Sequence, residues 1–172
     1  MRMGSNRVCA LLAGLMAMVA LSRSLEADAN DADRAVTLSP KTLKFISIPD
    51  MPTCASAAIL RGDPRSGPAW VLLKLASGCR VPWHWHTANE TLLVISGQGS
   101  LAMKDGPPVR FTPGAYASLP NHHVHRASCS RSCLLFNTAD AAFDIHYVDA
   151  GGAEIPSGKA LNPPARAKGK KK

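Results

Sequence analysis

Apolar residues along this chain come in short runs, with no stripe that holds a helical period for three turns. The runs are Leu43 to Ile48, Ala55 to Leu60, Trp70 to Leu75, Thr91 to Ile95, Ser100 to Met103, Tyr116 to Leu119, Cys133 to Phe136 and Phe143 to Val148. Each has the length and aliphatic or aromatic content of a strand. Between them stand Gly62-Asp63-Pro64, Ser77-Gly78, Ser96-Gly97, Asp105-Gly106-Pro107-Pro108, Pro113-Gly114 and Pro120-Asn121, whose residue types favour chain reversal. At least eight short strands at this spacing predict an all-β domain, a sandwich or small barrel closed so that few edges face water.

The two ends follow a different logic. Arg2 and Arg7 precede an apolar run from Val8 to Leu21, and a polar stretch then leads to Ala27-Asp28-Ala29. Fourteen apolar residues are too few to cross about 30 Å of hydrocarbon as a helix. The pattern is that of a secretory signal peptide cleaved after Ala29, so residues 1–29 are expected to be removed and the mature chain to be periplasmic or secreted, with no stable membrane span. Cys9 lies in the apolar run without the small residues that precede a lipidated cysteine. Residues 30–42 read as a flexible lead-in, 43–150 as the one folded domain, and 151–172 as a disordered basic tail. The 172-residue length suits one domain plus tails.

Charge does not alter this organisation. The formal net charge is +8, but residues 30 to 158 carry eleven Lys or Arg against ten Asp or Glu, and Lys159, Arg166, Lys168, Lys170, Lys171 and Lys172 supply an unopposed excess. A nearly neutral body without basic residues interleaved with aromatics argues against nucleic acid as a partner. Export would place Cys54, Cys79, Cys129 and Cys133 in an oxidising compartment, where three pairings or free thiols are all open. Cys129 and Cys133 form a candidate disulfide, as they flank a short link between two apolar runs that look like hairpin arms.

Candidate chemistry concentrates in one segment, as five of six histidines lie between positions 84 and 125. On an extended strand residues two apart share a face, so His84 and His86 project together while Trp83 and Trp85 project oppositely. Glu90 follows after a three-residue link and can bring a carboxylate to the same side. Imidazole with carboxylate suits divalent first-row metals. Cys79 has the opposite parity to His84, which argues against a thiolate ligand unless Gly78 and Pro82 shift the register. His122 and His123 read as rim residues, one of them a candidate proton shuttle, and His146 as structural. Trp83 and Trp85 suit wall packing or a homodimer interface.

These residues resemble the cupin superfamily. Its first motif, G-x5-H-x-H-x3-E-x6-G, is met by Gly78, His84, His86, Glu90 and Gly97. Its second motif is met in part, by Pro113-Gly114 and by His125 as the fourth ligand. The resemblance is greatest to small exported single-domain cupins and to the cupin half of zinc anti-sigma factors. It implies an antiparallel jelly-roll β-barrel holding one divalent transition metal, Mn, Fe, Co, Ni, Cu or Zn, on His84, His86, Glu90 and His125. Open coordination positions on such an ion suit dioxygenase, isomerase or lyase chemistry, with Glu90 also the candidate catalytic group.

Leu92 and Val94, sharing parity with Glu90, and Met103 and Tyr116 from neighbouring strands are the expected substrate-binding walls. Their apolar character suits a small aromatic or acyl compound, and Arg80 and Arg126 are the cations expected nearby. The alternative is a non-catalytic module that binds metal or a small ligand, or acts as a sensor. Fold alone does not choose between these chemistries.

Overall fold

The computed structural model describes residues 35–162. The expected leader, with Cys9 and the Ala29 cleavage point, and residues 163–172 lie outside the described residues. Nine strands and one short helix follow in order: β1 (Ile46–Ser47), β2 (Ala55–Gly62), β3 (Ala69–Leu75), β4 (Arg80–Trp85), β5 (Glu90–Met103), β6 (Val109–Phe111), β7 (Tyr116–Leu119), β8 (His125–Ala139), β9 (His146–Tyr147) and α1 (Ser157–Leu161). All pairings are antiparallel. β8 carries the architecture. It pairs with β5 from Met103↔His125 to Glu90↔Ala139, while its other edge takes β4 along its first half and β3 along its second. A strand that changes partner midway curls the sheet, and the inward residues Leu75, Val81, Leu92, Val94, Leu119, Leu135 and Tyr147 fill the enclosed space.

The expected turn at Ser96-Gly97 is corrected by the structure. Thr91–Ile95 and Ser100–Met103 belong to one continuous strand, β5. Gly97 has φ +94°, and a Cβ there would sit 2.2 Å from the Ser132 carbonyl oxygen. The register slips at Val94/Ser96, Ser96/Gln98 and Gln98/Gly99, so glycine here marks bulges and a close strand crossing. The Cys129–Cys133 segment is likewise no hairpin mouth, since it lies inside β8 opposite those bulges. Cys129 is bonded to Cys133 and Cys54 to Cys79, which ties the segment before β2 to the turn before β4.

The β4 register contains a second irregularity, between Val81 and His84, both of which are buried. Pro82, without an N–H to give the ladder, occupies the slip. Cys79 and Val81 therefore face inward together with His84, contrary to the parity expected for Cys79, and its bond to Cys54 removes it from any ligand role. Residues 151–162, expected to be disordered, are ordered: Val148 bridges Glu154, α1 follows, and Ala160 is buried against the core. Ile155 and Leu161 supply the apolar surface that the sequence reading overlooked. Among the described residues no helix is long and apolar enough to cross a membrane.

Because both the positive φ and the Ser132 carbonyl exclude a side chain, Gly97→Ala is expected to cost ~2 kcal/mol or more. Urea unfolding measures this, and a loss below about 0.5 kcal/mol would show that the crossing relaxes freely.

Candidate metal centre

The β4 slip, the β4–β8 pairing and the antiparallel register bring three histidines to one inward face. His84 stands opposite His125, with ring centroids 4.1 Å apart, and His86 lies two residues along with its ring 4.9 Å from that of His84. All three are buried. One donor atom from each lies within 4.8 Å of the others. Nδ1 of His84 is 2.6 Å from the Pro82 carbonyl oxygen and Nδ1 of His125 is 2.9 Å from that of His123. Nδ1 of His86 contacts the carbonyl oxygen of Asp144. A carbonyl only accepts, so each Nδ1 keeps the proton and each Nε2 presents a lone pair.

Glu90 opens β5 and reaches the same point. Its Oε2 is 3.6 Å from His125 Nε2 and 3.8 Å from His86 Nε2, while its Oε1 accepts a hydrogen bond from Asn137 Nδ2. Burial holds His84 well below the ordinary imidazole range, helped by its two histidine neighbours. Burial also lowers His125, against the opposing pull of the Glu90 carboxylate. Both rings are therefore neutral near pH 7 and offer metal-ready lone pairs. The donor set fits a divalent transition metal, with the three imidazoles as ligands and Glu90 within reach as a fourth.

An apolar cavity of about 250 Å³ opens on the same inward face. Leu92, Val94 and Met103 line it as expected, joined by Leu101, Phe111 and Leu135. Met103 stands directly across from His125, and Leu92 lies two residues from Glu90. Tyr116 lines it too, although it pairs with Leu93 and is 67% exposed. Arg80 and Arg126 are misplaced as cations of this site, because both lie on the outer face and Arg110 stands at the cavity instead.

His122 and His123 are exposed, and His123 contributes only its carbonyl to the centre. His122 stacks on one side of Trp85 and His146 on the other, at centroid distances of 4.4 and 3.9 Å. Trp85 is therefore a wall residue between two imidazoles. Sequence reasoning missed Asn137 and Tyr147. Asn137 is a buried amide with the same parity as Cys133 and Leu135, an observable signal in a stretch of β8 otherwise apolar on that face. Tyr147, fully buried beside His84, donates its hydroxyl hydrogen to the Asp50 carbonyl, and burial raises its pKa.

The lowered His84 and His125 pKa values fix a pH dependence for the metal-free protein. Above the ordinary value of 6.5 neither folded nor unfolded state binds these protons, so stability is flat. Below 6.5 the unfolded chain takes protons that the fold refuses, and stability falls by up to about 1.4 kcal/mol per pH unit per histidine. Melting of chelator-treated protein between pH 7.5 and 5 checks this, with His84→Gln expected to flatten the slope. A constant melting temperature across that interval would refute it.

A family model for the cupin domain matches residues 71–132. No curated protein matches the chain significantly. Among solved structures, an RmlC-like cupin from Shewanella frigidimarina NCIMB 400 aligns with a TM-score of 0.53 at 17% identity, over 64% of this chain and 93% of that one. The polyketide cyclase RemF from Streptomyces resistomycificus aligns at 0.58 and 15% identity, over 67% and 87% respectively. The DMSP lyase DddQ from Ruegeria pomeroyi DSS-3 gives 0.54 and 16%, over 66% and 64%. At such identities the neighbours speak for the fold alone. With the domain match over residues 71–132, the curled antiparallel sheet and the fully met Gly78-to-Gly97 motif, they show a cupin domain with the cupin fold in this chain.

Proposed function

We propose that this chain is a metal-dependent enzyme, exported by its leader, that acts on a small aromatic or acyl compound. What carries this reading is the convergence of three neutral, carbonyl-anchored imidazoles on a point beside an apolar cavity. His84, His86 and His125 would hold the ion, which supplies Lewis acidity to a substrate oxygen when bound. Leu92, Val94 and Met103 exclude water and orient the apolar part of the substrate. Arg110 offers a cation to a carboxylate at the rim. Glu90, its far oxygen fixed by Asn137, accepts a proton from the substrate and returns it, as isomerase or lyase chemistry requires. Two folds of this kind, a polyketide cyclase and a DMSP lyase, carry enzymes. Two disulfides suit an oxidising compartment.

Protein purified from its native compartment is expected to begin at Asn30 by intact mass and to hold close to one transition-metal ion by elemental analysis. His84→Ala should lose the ion, and Asn137→Leu should weaken its binding roughly 10- to 100-fold. Glu90→Gln should retain metal on the three histidines but lose turnover of phenolic or acyl substrates. If the loaded wild type turns over no member of such a panel and ligand variants change only melting temperature, the non-catalytic binding module replaces the enzyme.

The proposal includes a homodimer, formed through a different face from the one that Trp83 and Trp85 suggested. Those rings are half-buried, Trp83 beneath the Arg126 guanidinium and Trp85 between imidazoles. One exposed apolar patch instead comprises Trp70, Leu93, Ile95 and Tyr116, at 48%, 40%, 44% and 67% exposure, around the Leu93↔Phe136 and Leu93↔Tyr116 pairs. Sedimentation equilibrium should show a dimer that Leu93→Lys converts to monomer. A monomeric wild type at high micromolar concentration excludes it.

A further inference from the structure

A second cavity, of about 830 Å³, lies on the outer face of the β4–β8–β5 sheet, across β8 from the histidine cluster. Its floor follows from register. Arg80 pairs with Ser128, Ser128 with Ser100, and Arg126 with Ala102, so these side chains project from one face while His125 and Met103 project from the other. The β4 slip that turns His84 inward turns Trp83 outward, onto this floor. Helix α1 and the segment before β2 wall the groove through Leu161 and Pro52.

Its chemistry is one-sided. The lining contains two guanidinium groups and no carboxylate. Among the described residues no acidic side chain pairs with Arg80 or Arg126. Arg126 lies over the Trp83 ring at 4.5 Å from its centroid, which leaves its fork of donors available at the edges. The hydroxyls of Ser100 and Ser128 are 2.9 Å apart. One donates to the other, and the acceptor's own hydrogen remains for a third group. The chain's continuation is a poor match for this groove, since Arg166, Lys168, Lys170, Lys171 and Lys172 add only like charge after Asn162.

We propose that this groove is a binding site for a small aromatic carboxylate, separate from the metal centre. Guanidinium groups receive a carboxylate with paired, charge-assisted hydrogen bonds, and the Trp83 ring, with Arg126 over one face, offers its edge to a flat ring. The volume falls in the range of small-molecule sites. The site does not depend on the metal reading, because no histidine of the cluster lines it.

The test is calorimetric titration of benzoate into the chelator-treated full-length protein. Saturable one-site binding is expected, with Arg80→Gln and Arg126→Gln each weakening it at least tenfold while the far-ultraviolet dichroism stays unchanged. Cyclohexanecarboxylate should bind several-fold more weakly than benzoate, and Trp83→Leu should abolish that preference. Amide shift mapping on the unaltered sequence guards against variants that misfold, and benzoate should move Ser100, Arg126 and Ser128 rather than Leu92 and Val94. The proposal is overturned by no binding at about 10 mM benzoate, by equal affinity for the two carboxylates, by affinity indifferent to both arginine variants, or by shifts confined to the inner cavity.

Discussion

Three imidazole rings buried side by side set the terms for the rest of this molecule. Taking a polar ring out of water is costly unless both nitrogens find partners. Here each Nδ1 is satisfied by a backbone carbonyl, of Pro82, Asp144 or His123, and each Nε2 is turned toward its neighbours. Neutral rings whose donor atoms lie within 4.8 Å of one another could hold a cation together. Glu90 adds a carboxylate oxygen within 3.8 Å of two of the nitrogens.

The carbonyls that anchor the rings come from irregular backbone, and this explains where the sheet departs from ideal geometry. The slip at Pro82 rotates β4 so that His84 faces inward and frees the Pro82 carbonyl for its ring. The segment between β8 and β9 carries the Asp144 carbonyl to His86, while the Asp144 carboxylate holds Thr87, clamping the loop that links β4 to β5. At the far end of the curl the β5 bulges oppose the Cys129–Cys133 bond, and Cys54–Cys79 closes the same region. The disulfide end restrains the long strands and leaves the histidine end shaped by hydrogen bonds.

The strict alternation of β8 divides chemistry between two faces. His125 and Arg126 are sequence neighbours, yet one enters a metal-ready cluster and the other the outer groove beside Trp83. Leu92 and Leu93 divide in the same way, one toward the apolar cavity and the other toward the exposed surface. A single ladder of hydrogen bonds thus supports distinct surfaces with no insertion between them.

The two-residue spacing of His84 and His86, the reach of Glu90 and the burst pattern of strands were legible without coordinates, because side-chain alternation is a property of one extended segment. The role of Asn137, the inward turn of Cys79 and the merging of two runs into β5 were not. Each depends on which backbone lies against which, and on where one strand carries an extra residue. Gly97 states the distinction most directly: as a letter it reads as a turn, and only the Ser132 carbonyl pressed against it reveals a crossing. Local sequence determined which residues could share a face, and long-range contact decided which faces met, since bulges and register arise between strands and have no signature within either one.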